Sequence, residues 1–325
     1  MKGRRRNVVG AKQLTRHRTA VAQIEFVPRI DDARYGVVEQ VSPLIRRVIA
    51  ENPSKYTYRG TGTYIVGHGK VAVIDPGPVM ESHRIAIQSA LIGEQVQAIL
   101  VTHCHSDHSP LAQWLHEQTG AATFAIGPHR DGAFDELDDG RDEAIDRNFV
   151  PTQAVGDGDV IVDTGEFMLT AVSTPGHTSN HMCIALAQER ALFSGDHVMG
   201  WSTTVVSPPD GDMRDYIESL GKVQRREDDI LWPTHGGPVT NPKEYLAQYL
   251  QHRLDREAQI LKCLGDSVKT VTEIVTILYA DVRIELHKAA GRSVLSHLIK
   301  LIGDGRVIVV DKSAPWSTAI FALTK

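Results

Sequence analysis

The sequence predicts an α/β fold in which β-sheets are covered on the outside by helices, followed by a smaller, mainly helical domain. Short apolar runs typical of strands alternate with amphipathic helical segments between about residues 64 and 240. Glycine, proline or aspartate separates most of these runs, as expected of connecting turns. From about residue 242 the strand pattern gives way to apolar residues at helical spacing.

The first strands are predicted within Tyr64–Ile74, as a buried hairpin that ends in a turn at residues 75–78. A helix follows over about residues 82–91. The run Ala98–Val101 predicts a fully buried strand, which delivers the chain to His103. Further strands are predicted at residues 122–126, 160–162, 167–172, 183–186 and 191–193, and further helices at residues 111–118 and 212–223.

The last part of the chain has the element order of a winged helix. Three helices are predicted, at Lys243–Leu264, Thr270–Tyr279 and Ser293–Ile302, and then strands at Val307–Val310 and Ala319–Ala322. We expect a basic tail over residues 1–24, an α/β domain over residues 25–248, and a winged-helix-like domain over residues 249–325.

Composition narrows the class of protein. The chain has 325 residues, of which 42% are apolar and 23% charged, which is typical of globular proteins. No stretch approaches the roughly 20 apolar residues of a membrane helix. A net charge of -5 gives no overall attraction to nucleic acid. Three widely spaced cysteines indicate a reducing compartment, so the cytoplasm is expected. The basic start lacks a secretory apolar core and is interpreted as a frayed tail, with an organelle transit peptide as the alternative.

The segment from Thr102 to His108 concentrates side chains that bind metals. His103 and His105 are two positions apart, so in an extended loop both point the same way while Cys104 points elsewhere. Asp107 and His108 turn toward a second ion as the chain enters the next helix. This spacing at the end of a strand predicts a metal site rather than core packing.

Three later segments place further candidate ligands just after predicted strands. His177 follows a Thr-Pro-Gly turn, Asp196 follows Ser-Gly, and His235 follows Thr234. Each is a weak signal alone, because such turns are common, but their joint occurrence after strands is a strong one. A two-metal centre is the expected result.

This set of motifs resembles the metallo-β-lactamase superfamily, over roughly residues 58–240. The resemblance implies a four-layered αββα sandwich with the metal site at one edge of its two sheets. It assigns His103, His105 and His177 to one ion and Asp107, His108 and His235 to the other, with Asp196 bridging. Asp75 matches the acidic position that supports the site from behind the ligands.

The expected chemistry is hydrolysis by a hydroxide shared between two divalent ions about 3.5–4 Å apart. Asp107 would orient this hydroxide, and Asp196 would hold the ions close together, so both are predicted to be catalytic. Nitrogen and oxygen ligands suit two zinc ions, although iron or manganese fits as well. Antibiotic hydrolysis is expected only as a weak side activity, because the commonest zinc β-lactamases carry cysteine at the position of Asp196 and are exported.

The sequence most closely resembles the β-lactamase-like protein 2 family, which joins this hydrolase domain to a winged helix. The match extends through His252–Glu257, Thr270–Tyr279 and Val294–Leu301 to Gly305–Val307. Membership implies an endoribonuclease acting on single-stranded RNA. The alternative is a glyoxalase II-like hydrolase of a small thioester, ester or lactone, in which the second domain is architectural.

A third hypothesis is a DNA-binding regulator. The helix predicted at Ser293–Ile302 is mostly apolar, however, and such a helix is poorly suited to recognise DNA. We interpret the winged helix as a packing or dimerisation module, which leaves a homo-oligomer open. Four further residues are singled out. His181 and His197 are candidates for support of the ligands or for proton donation, and Thr203 and Thr204, after Trp201, are candidates for binding a substrate phosphate or carboxylate.

Overall fold

Two β-sheets pack face to face in the computed structural model of the chain, which describes residues 23–27, 33–129, 145–311 and 313–325. Ile24–Leu250 form one unit around these sheets, and Gln251–Lys325 belong to a second unit. Residues 1–22 of the predicted basic tail lie outside the described residues.

The first sheet has seven strands in the order β1 to β7. They are β1 Glu39–Gln40, β2 Ile45–Ile49, β3 Gly62–His68, β4 Lys70–Ile74, β5 Gln95–Leu100, β6 Ala122–Ala125 and β7 Gln153–Ala154. The strands β3 and β4 form the predicted antiparallel hairpin, whereas β4, β5 and β6 run parallel to one another. The carboxyl ends of β4 and β5 therefore lie at the same edge of the sheet.

The second sheet has five strands in the order β12-β11-β10-β9-β8. They are β8 Val160–Asp163, β9 Met168–Ser173, β10 Met182–Leu186, β11 Ala191–Gly195 and β12 Ile230–Pro233. The strands β11 and β12 run parallel, so their carboxyl ends also share an edge.

Helices cover the outer face of each sheet. They are α1 Glu81–Ala90, α2 Leu111–Thr119, α3 Met213–Gln224 and α4 Pro242–Asp266. One core joins the two sheets, with Tyr64 and Phe193 at 5.1 Å between ring centroids. A second packs α1 and α2 on the first sheet, and a third packs α3 and the start of α4 on the second sheet. The four-layered αββα arrangement is thus confirmed.

The second unit has the architecture of a winged helix, as predicted. It contains the end of α4, helices α5 Val271–Leu278 and α6 His287–Gly303, and a sheet of β13 Lys269–Thr270, β14 Val307–Val309 and β15 Ile320–Leu323. Thr270 and Glu273 form a capping box that fixes the start of α5. A core that includes Val294, Leu298 and Phe321 holds these elements together.

The structure differs from the sequence-based prediction at several elements. The strands β1, β2, β7 and β13 were not predicted, and α6 begins six residues earlier than the expected Ser293. In β2 the buried positions include Arg47, whose guanidinium donates to Glu39 and to the Gly236 carbonyl. The apolar pattern of this strand is therefore hidden by charged residues whose stems are buried.

Candidate metal centre

The candidate site lies where strands of both sheets end. Asp75 follows β4, Thr102 and His103 follow β5, Asp196 follows β11, and Thr234 follows β12. Main-chain hydrogen bonds join these ends, since the Asp75 amide donates to Leu100 and the Thr234 amide donates to Gly195. The two parallel pairs of strands thus bring together residues far apart in the sequence.

The fully buried carboxylate of Asp75 accepts four hydrogen bonds at this edge of the sheets, and we call this group of contacts the Asp75 hub. Its Oδ1 accepts the Thr102 amide at 2.8 Å. Its Oδ2 accepts the Thr102 hydroxyl at 2.8 Å, the Thr234 hydroxyl at 3.0 Å and Nδ1 of His108 at 2.9 Å. Asp75 itself adopts a φ of 47°, a left-handed conformation that aspartate tolerates better than most residues. Asp75 thus contacts one candidate ligand, His108, and the threonine that precedes another, His103.

Four histidine rings are fixed by a hydrogen bond on the nitrogen that faces away from the centre. Nδ1 of His108 contacts the Asp75 carboxylate. Nδ1 of His103 lies 3.0 Å from the Thr102 hydroxyl. Nδ1 of His177 lies 2.7 Å from the Val205 carbonyl, and Nδ1 of His235 lies 3.2 Å from the Gly60 carbonyl.

These partners determine the tautomer of each ring. A carbonyl or carboxylate oxygen can only accept, so the outer nitrogen of His108, His177 and His235 carries the proton. The Thr102 hydroxyl already donates to Asp75, and it therefore accepts from His103. In the neutral form of each ring, Nε2 carries a lone pair that points inward, which is the arrangement of metal-binding histidines.

The inward atoms converge closely. Nδ1 of His105 lies 2.8 Å from Nε2 of His103 and 3.2 Å from Nε2 of His177. Nε2 of His235 lies 3.1 Å from Oδ2 of Asp107 and 3.4 Å from Oδ1 of Asp196. Three groups have ligand atoms within 4.8 Å of one another, namely His103 with His105 and His177, His103 with His108 and Asp196, and Asp107 with His108 and His235.

Burial and neighbouring charges divide the site electrostatically. Burial, reinforced by the neighbouring imidazoles, holds the pKa of His103 and His105 well below the usual value, so both rings are neutral. Burial also opposes the charged form of His108, but the carboxylates of Asp107, Asp196 and Asp75 outweigh it and raise its pKa. One half of the site is thus a neutral imidazole cluster, and the other is rich in negative charge.

Two buried polar atoms at this centre have no hydrogen-bond partner among the described residues, Nε2 of His108 and Oδ1 of Asp196. An unpaired buried acceptor costs about 1–3 kcal/mol unless something binds it. A divalent cation would satisfy both atoms. The donor set of imidazole nitrogens and carboxylate oxygens fits such an ion.

The other histidines singled out in the sequence lie behind the cluster. Nε2 of His181 accepts the Asp196 amide at 3.2 Å, and its Nδ1 contacts the Thr174 hydroxyl at 2.9 Å. Burial lowers the pKa of His181 well below its usual value, so the ring is neutral and positions Asp196. His197 is fully buried, with its ring 5.0 Å from that of Tyr216. Neither arrangement suits a proton donor to substrate.

The two threonines predicted to bind substrate are not among the residues that line the cavity beside the candidate ligands. The Thr204 side chain is buried, and its hydroxyl donates to the Asp196 carbonyl at 2.9 Å and lies 3.0 Å from the His197 carbonyl. The cavity beside the candidate ligands is lined by Trp201 and Ser202 but by neither Thr203 nor Thr204. Because the Thr204 hydroxyl contacts two main-chain carbonyls, it holds the loop after Asp196.

That cavity has a volume of about 180 Å³ and opens directly onto the cluster. His105, Asp107, His177, Asp196 and His235 form its inner end. Cys104 points away from it, buried beside Asn180 Nδ2 at 2.9 Å, and burial raises the pKa of its thiol to about 11. A bound substrate would therefore meet the candidate ligands but not this thiol.

Sequence inspection missed the residues that orient the ligands. The Thr61 hydroxyl lies 3.3 Å from Oδ2 of Asp107, and the Asn52 side chain holds Thr61 by two hydrogen bonds, at 2.9 and 3.0 Å. The carbonyls of Gly60 and Val205 orient two histidines. Main-chain acceptors have no sequence signature, but threonine directly before both His103 and His235 was a usable signal.

Two family models match the chain, one in each predicted domain. Residues 58–235 match the family model for the metallo-beta-lactamase superfamily. The chain belongs to this superfamily. Residues 270–316 match the beta-lactamase associated winged helix domain, so both predicted resemblances are confirmed. The chain is accordingly a metallo-beta-lactamase superfamily hydrolase with a winged helix after the hydrolase domain.

Two curated relatives of this superfamily hydrolase span most of its length. A "Beta-lactamase-like protein 2 homolog" of Caenorhabditis elegans is 32% identical over 276 residues, which cover 83% of the chain and 88% of the relative. An "Atrochrysone carboxyl ACP thioesterase" of Aspergillus chevalieri is 32% identical over 284 residues, which cover 83% and 84%.

Solved structures of the superfamily share its fold. A beta-lactamase domain protein from Burkholderia ambifaria superposes with a TM-score of 0.73 at 22% identity, covering 91% of the chain and 96% of that protein. A metallo-beta-lactamase family protein from Thermus thermophilus gives a TM-score of 0.68 at 22% identity, covering 87% and 100%. Among the described residues, none of the helices is both long enough and apolar enough to cross a bilayer.

Proposed function

We propose that the chain is a binuclear zinc hydrolase that cleaves thioesters. His103, His105 and His177 would hold one ion, Asp107, His108 and His235 the other, and Asp196 would bridge them. The observation that carries this assignment is the set of four histidines whose outer nitrogens are tied to fixed acceptors while their inner lone pairs converge. Iron or manganese would accept the same donors, so metal content is part of the test.

Bound metal ions would supply a hydroxide nucleophile near neutral pH and polarise the carbonyl under attack. The chain's own residues orient the reacting groups. Asp107 reaches the cavity with its carboxylate held by Thr61, and we assign it the role of orienting the nucleophile. Asp196 is held by His181 at its amide and by Thr204 at its carbonyl, which keeps its carboxylate aimed at both groups of histidines.

The overall reaction would consume one water for each thioester. Oxygen adds to the acyl carbon, the carbon–sulfur bond breaks, and a carboxylic acid and a thiol leave. Support for a thioester comes from the relative named as an ACP thioesterase, which matches across both domains. The small cavity also suits a single acyl group better than a folded polymer.

Cleavage of single-stranded RNA is the second candidate. One observation favours it: the segment beside the cavity interleaves aromatic and basic residues, with Lys55 Nζ 4.6 Å from the Tyr56 ring and the Arg59 guanidinium 5.6 Å from the Tyr58 ring. Such interleaving is typical of surfaces that stack bases and contact phosphates. RNA cleavage would weaken as salt rises, whereas hydrolysis of a small thioester would not.

The test compares both substrate classes on one preparation. Zinc-loaded protein, chelated protein and the Asp107→Ala/Asp196→Ala variant are incubated with acyl thioesters of N-acetylcysteamine and, separately, with labelled single-stranded RNA at two salt concentrations. Metal content is measured on the same samples. Thioester hydrolysis confined to the loaded wild type supports the proposal. RNA cleavage without thioester hydrolysis would replace it with the second candidate.

A further inference from the structure

Trp201 and Tyr56 both line the cavity beside the candidate metal centre. Trp201 lies in the loop after Asp196, which also contributes Met199, Ser202 and Val205 to the lining. The carboxylates and imidazoles of the candidate metal centre form the inner end of the same cavity. The cavity thus joins a polar reacting end to an apolar part bordered by an indole ring.

The indole ring is held from one side by Tyr58. The two rings stack with centroids 5.0 Å apart and an interplanar angle of 19°. Tyr58 itself adopts a φ of 55°, a left-handed conformation that is uncommon for a bulky residue. Tyr58 does not line the cavity, whereas Trp201 does, so Tyr58 supports the indole from outside it.

The residue after a candidate ligand makes room for the same ring. Gly236 follows His235 and has a φ of 93°. A Cβ atom built on Gly236 would lie only 2.9 Å from Cδ1 of Trp201, which is closer than real Cβ contacts allow. The position of the indole therefore depends on a glycine directly beside the metal centre.

The loop that carries Trp201 is also anchored. The Tyr249 hydroxyl lies 2.6 Å from the Met199 carbonyl, accepts the Met199 amide at 3.3 Å and contacts the Ser202 carbonyl. The Tyr245 hydroxyl donates to the same Met199 carbonyl at 2.8 Å. Because the loop is fixed on both sides of Trp201, the ring is a fixed surface of the cavity.

Size indicates what such a surface would contact. The cavity of about 180 Å³ is slightly larger than the roughly 150 Å³ apolar cavity that accommodates benzene. We propose that Trp201 is a specificity-determining residue that selects acyl groups with a single aromatic ring, by stacking on the ring while the acyl carbonyl faces the metal centre. This inference rests on the thioesterase activity proposed above.

The experiment measures selectivity rather than activity alone. The zinc-loaded full chain is assayed with benzoyl and butyryl thioesters of N-acetylcysteamine, and kcat/KM is compared for wild type, Trp201→Leu and Trp201→Phe. Trp114→Leu is the matched control, because Trp114 lies on α2 under the Arg84 guanidinium and outside the cavity lining. Thermal unfolding of each variant checks that it folds.

We expect wild type and Trp114→Leu to prefer the benzoyl thioester and Trp201→Leu to lose this preference by about 2- to 12-fold, the range that one aromatic contact supplies. Trp201→Phe should retain most of it. A benzoyl-to-butyryl ratio that is the same in all four proteins would overturn the inference and leave thioester hydrolysis intact.

Binding of a non-hydrolysable analogue separates the two proposals. The S-phenacyl thioether of N-acetylcysteamine presents the same ring and carbonyl without a bond to cleave. If wild type hydrolyses no thioester but binds this analogue, and Trp201→Leu weakens the binding, the proposed reaction fails while the aromatic subsite stands. Absence of both hydrolysis and binding would refute both. Displacement of the analogue by single-stranded RNA at low salt would overturn the acyl assignment.

Discussion

Replacing Asp75 by asparagine tests whether its buried carboxylate sets the metal-binding tautomers. Asparagine has nearly the same shape and also tolerates a positive φ, so the backbone at 47° is retained. The remaining amide oxygen can still accept the Thr102 amide. The new amide nitrogen, however, faces three groups that donate to Oδ2 in the wild type: the hydroxyls of Thr102 and Thr234, and Nδ1 of His108.

The two hydroxyls can rotate and accept from the new amide, but His108 cannot do so without moving its proton. Shifting that proton from Nδ1 to Nε2 would remove the inward lone pair. Loss of such an orienting partner lowers metal affinity by about 10- to 100-fold, or about 1.4–2.7 kcal/mol. Weakening one or two charge-assisted hydrogen bonds should also lower the free energy of unfolding by about 2–4 kcal/mol.

The assay is zinc competition against a fluorescent chelator, with urea unfolding of the metal-free protein measured in parallel. Asp163→Asn is the control, because this exposed carboxylate only accepts the Gly165 amide in a turn. Zinc affinity of Asp75→Asn within twofold of wild type would refute the argument that Asp75 orients His108. Reduced stability without reduced affinity would show that the hub is structural alone.

Three further outcomes are expected. At a free zinc concentration 100 times its Kd, one bound zinc ion should raise the free energy of unfolding of the wild type by about 2.7 kcal/mol. In calorimetry, zinc should raise the melting temperature of Asp107→Ala/Asp196→Ala less than that of the wild type, because this variant lacks both carboxylates but keeps the group of His103, His105 and His177. Burial lowers the pKa of His83 to about 4 from 6.5, so the unfolded state binds more protons between these values. The free energy of unfolding should therefore fall by up to about 3 kcal/mol as the pH drops from 6.5 to 4. In urea titrations over this pH range, the free energy of unfolding of His83→Gln should fall less than that of the wild type. In the second unit, Glu257 is 7% exposed and contacts Lys300 at 2.7 Å. The substitution Glu257→Gln should therefore lower the free energy of unfolding by about 1–3 kcal/mol. An unchanged denaturation midpoint would contradict the importance of that ion pair.

The cluster of candidate metal ligands was predictable because its strongest signal is local. His103, His105 and His108 follow a buried apolar strand so closely that their convergence needs no knowledge of the fold. His177, Asp196 and His235 each gave a weaker signal, and their joint placement at strand ends made them credible. The role of Asp75 required the family resemblance, since a single aspartate before a proline reads as an ordinary turn.

The surroundings of the ligands were less predictable for physical reasons. The Gly60 and Val205 carbonyls orient histidines through the main chain, which every residue possesses. Thr204 was expected to bind substrate because its hydroxyl is polar, yet burial and two nearby carbonyls give it a structural partner instead. Strand β2 was missed because Arg46 and Arg47 interrupt its apolar pattern while their stems pack inside.

The long-range ties of the Asp75 hub have a consequence for how the protein matures. Thr234, which donates to Asp75, lies 159 positions further along the chain, and His235 follows it directly. A nascent chain that has exposed only His103, His105 and His108 lacks the Thr234 hydrogen bond to Asp75 and the candidate ligands His177, Asp196 and His235. If the proposed ions bind here, high-affinity loading would therefore wait until β12 has emerged from the ribosome and docked in its sheet. Metal insertion would then be a late event in biogenesis, which protects the unfinished chain from capturing ions in the wrong geometry.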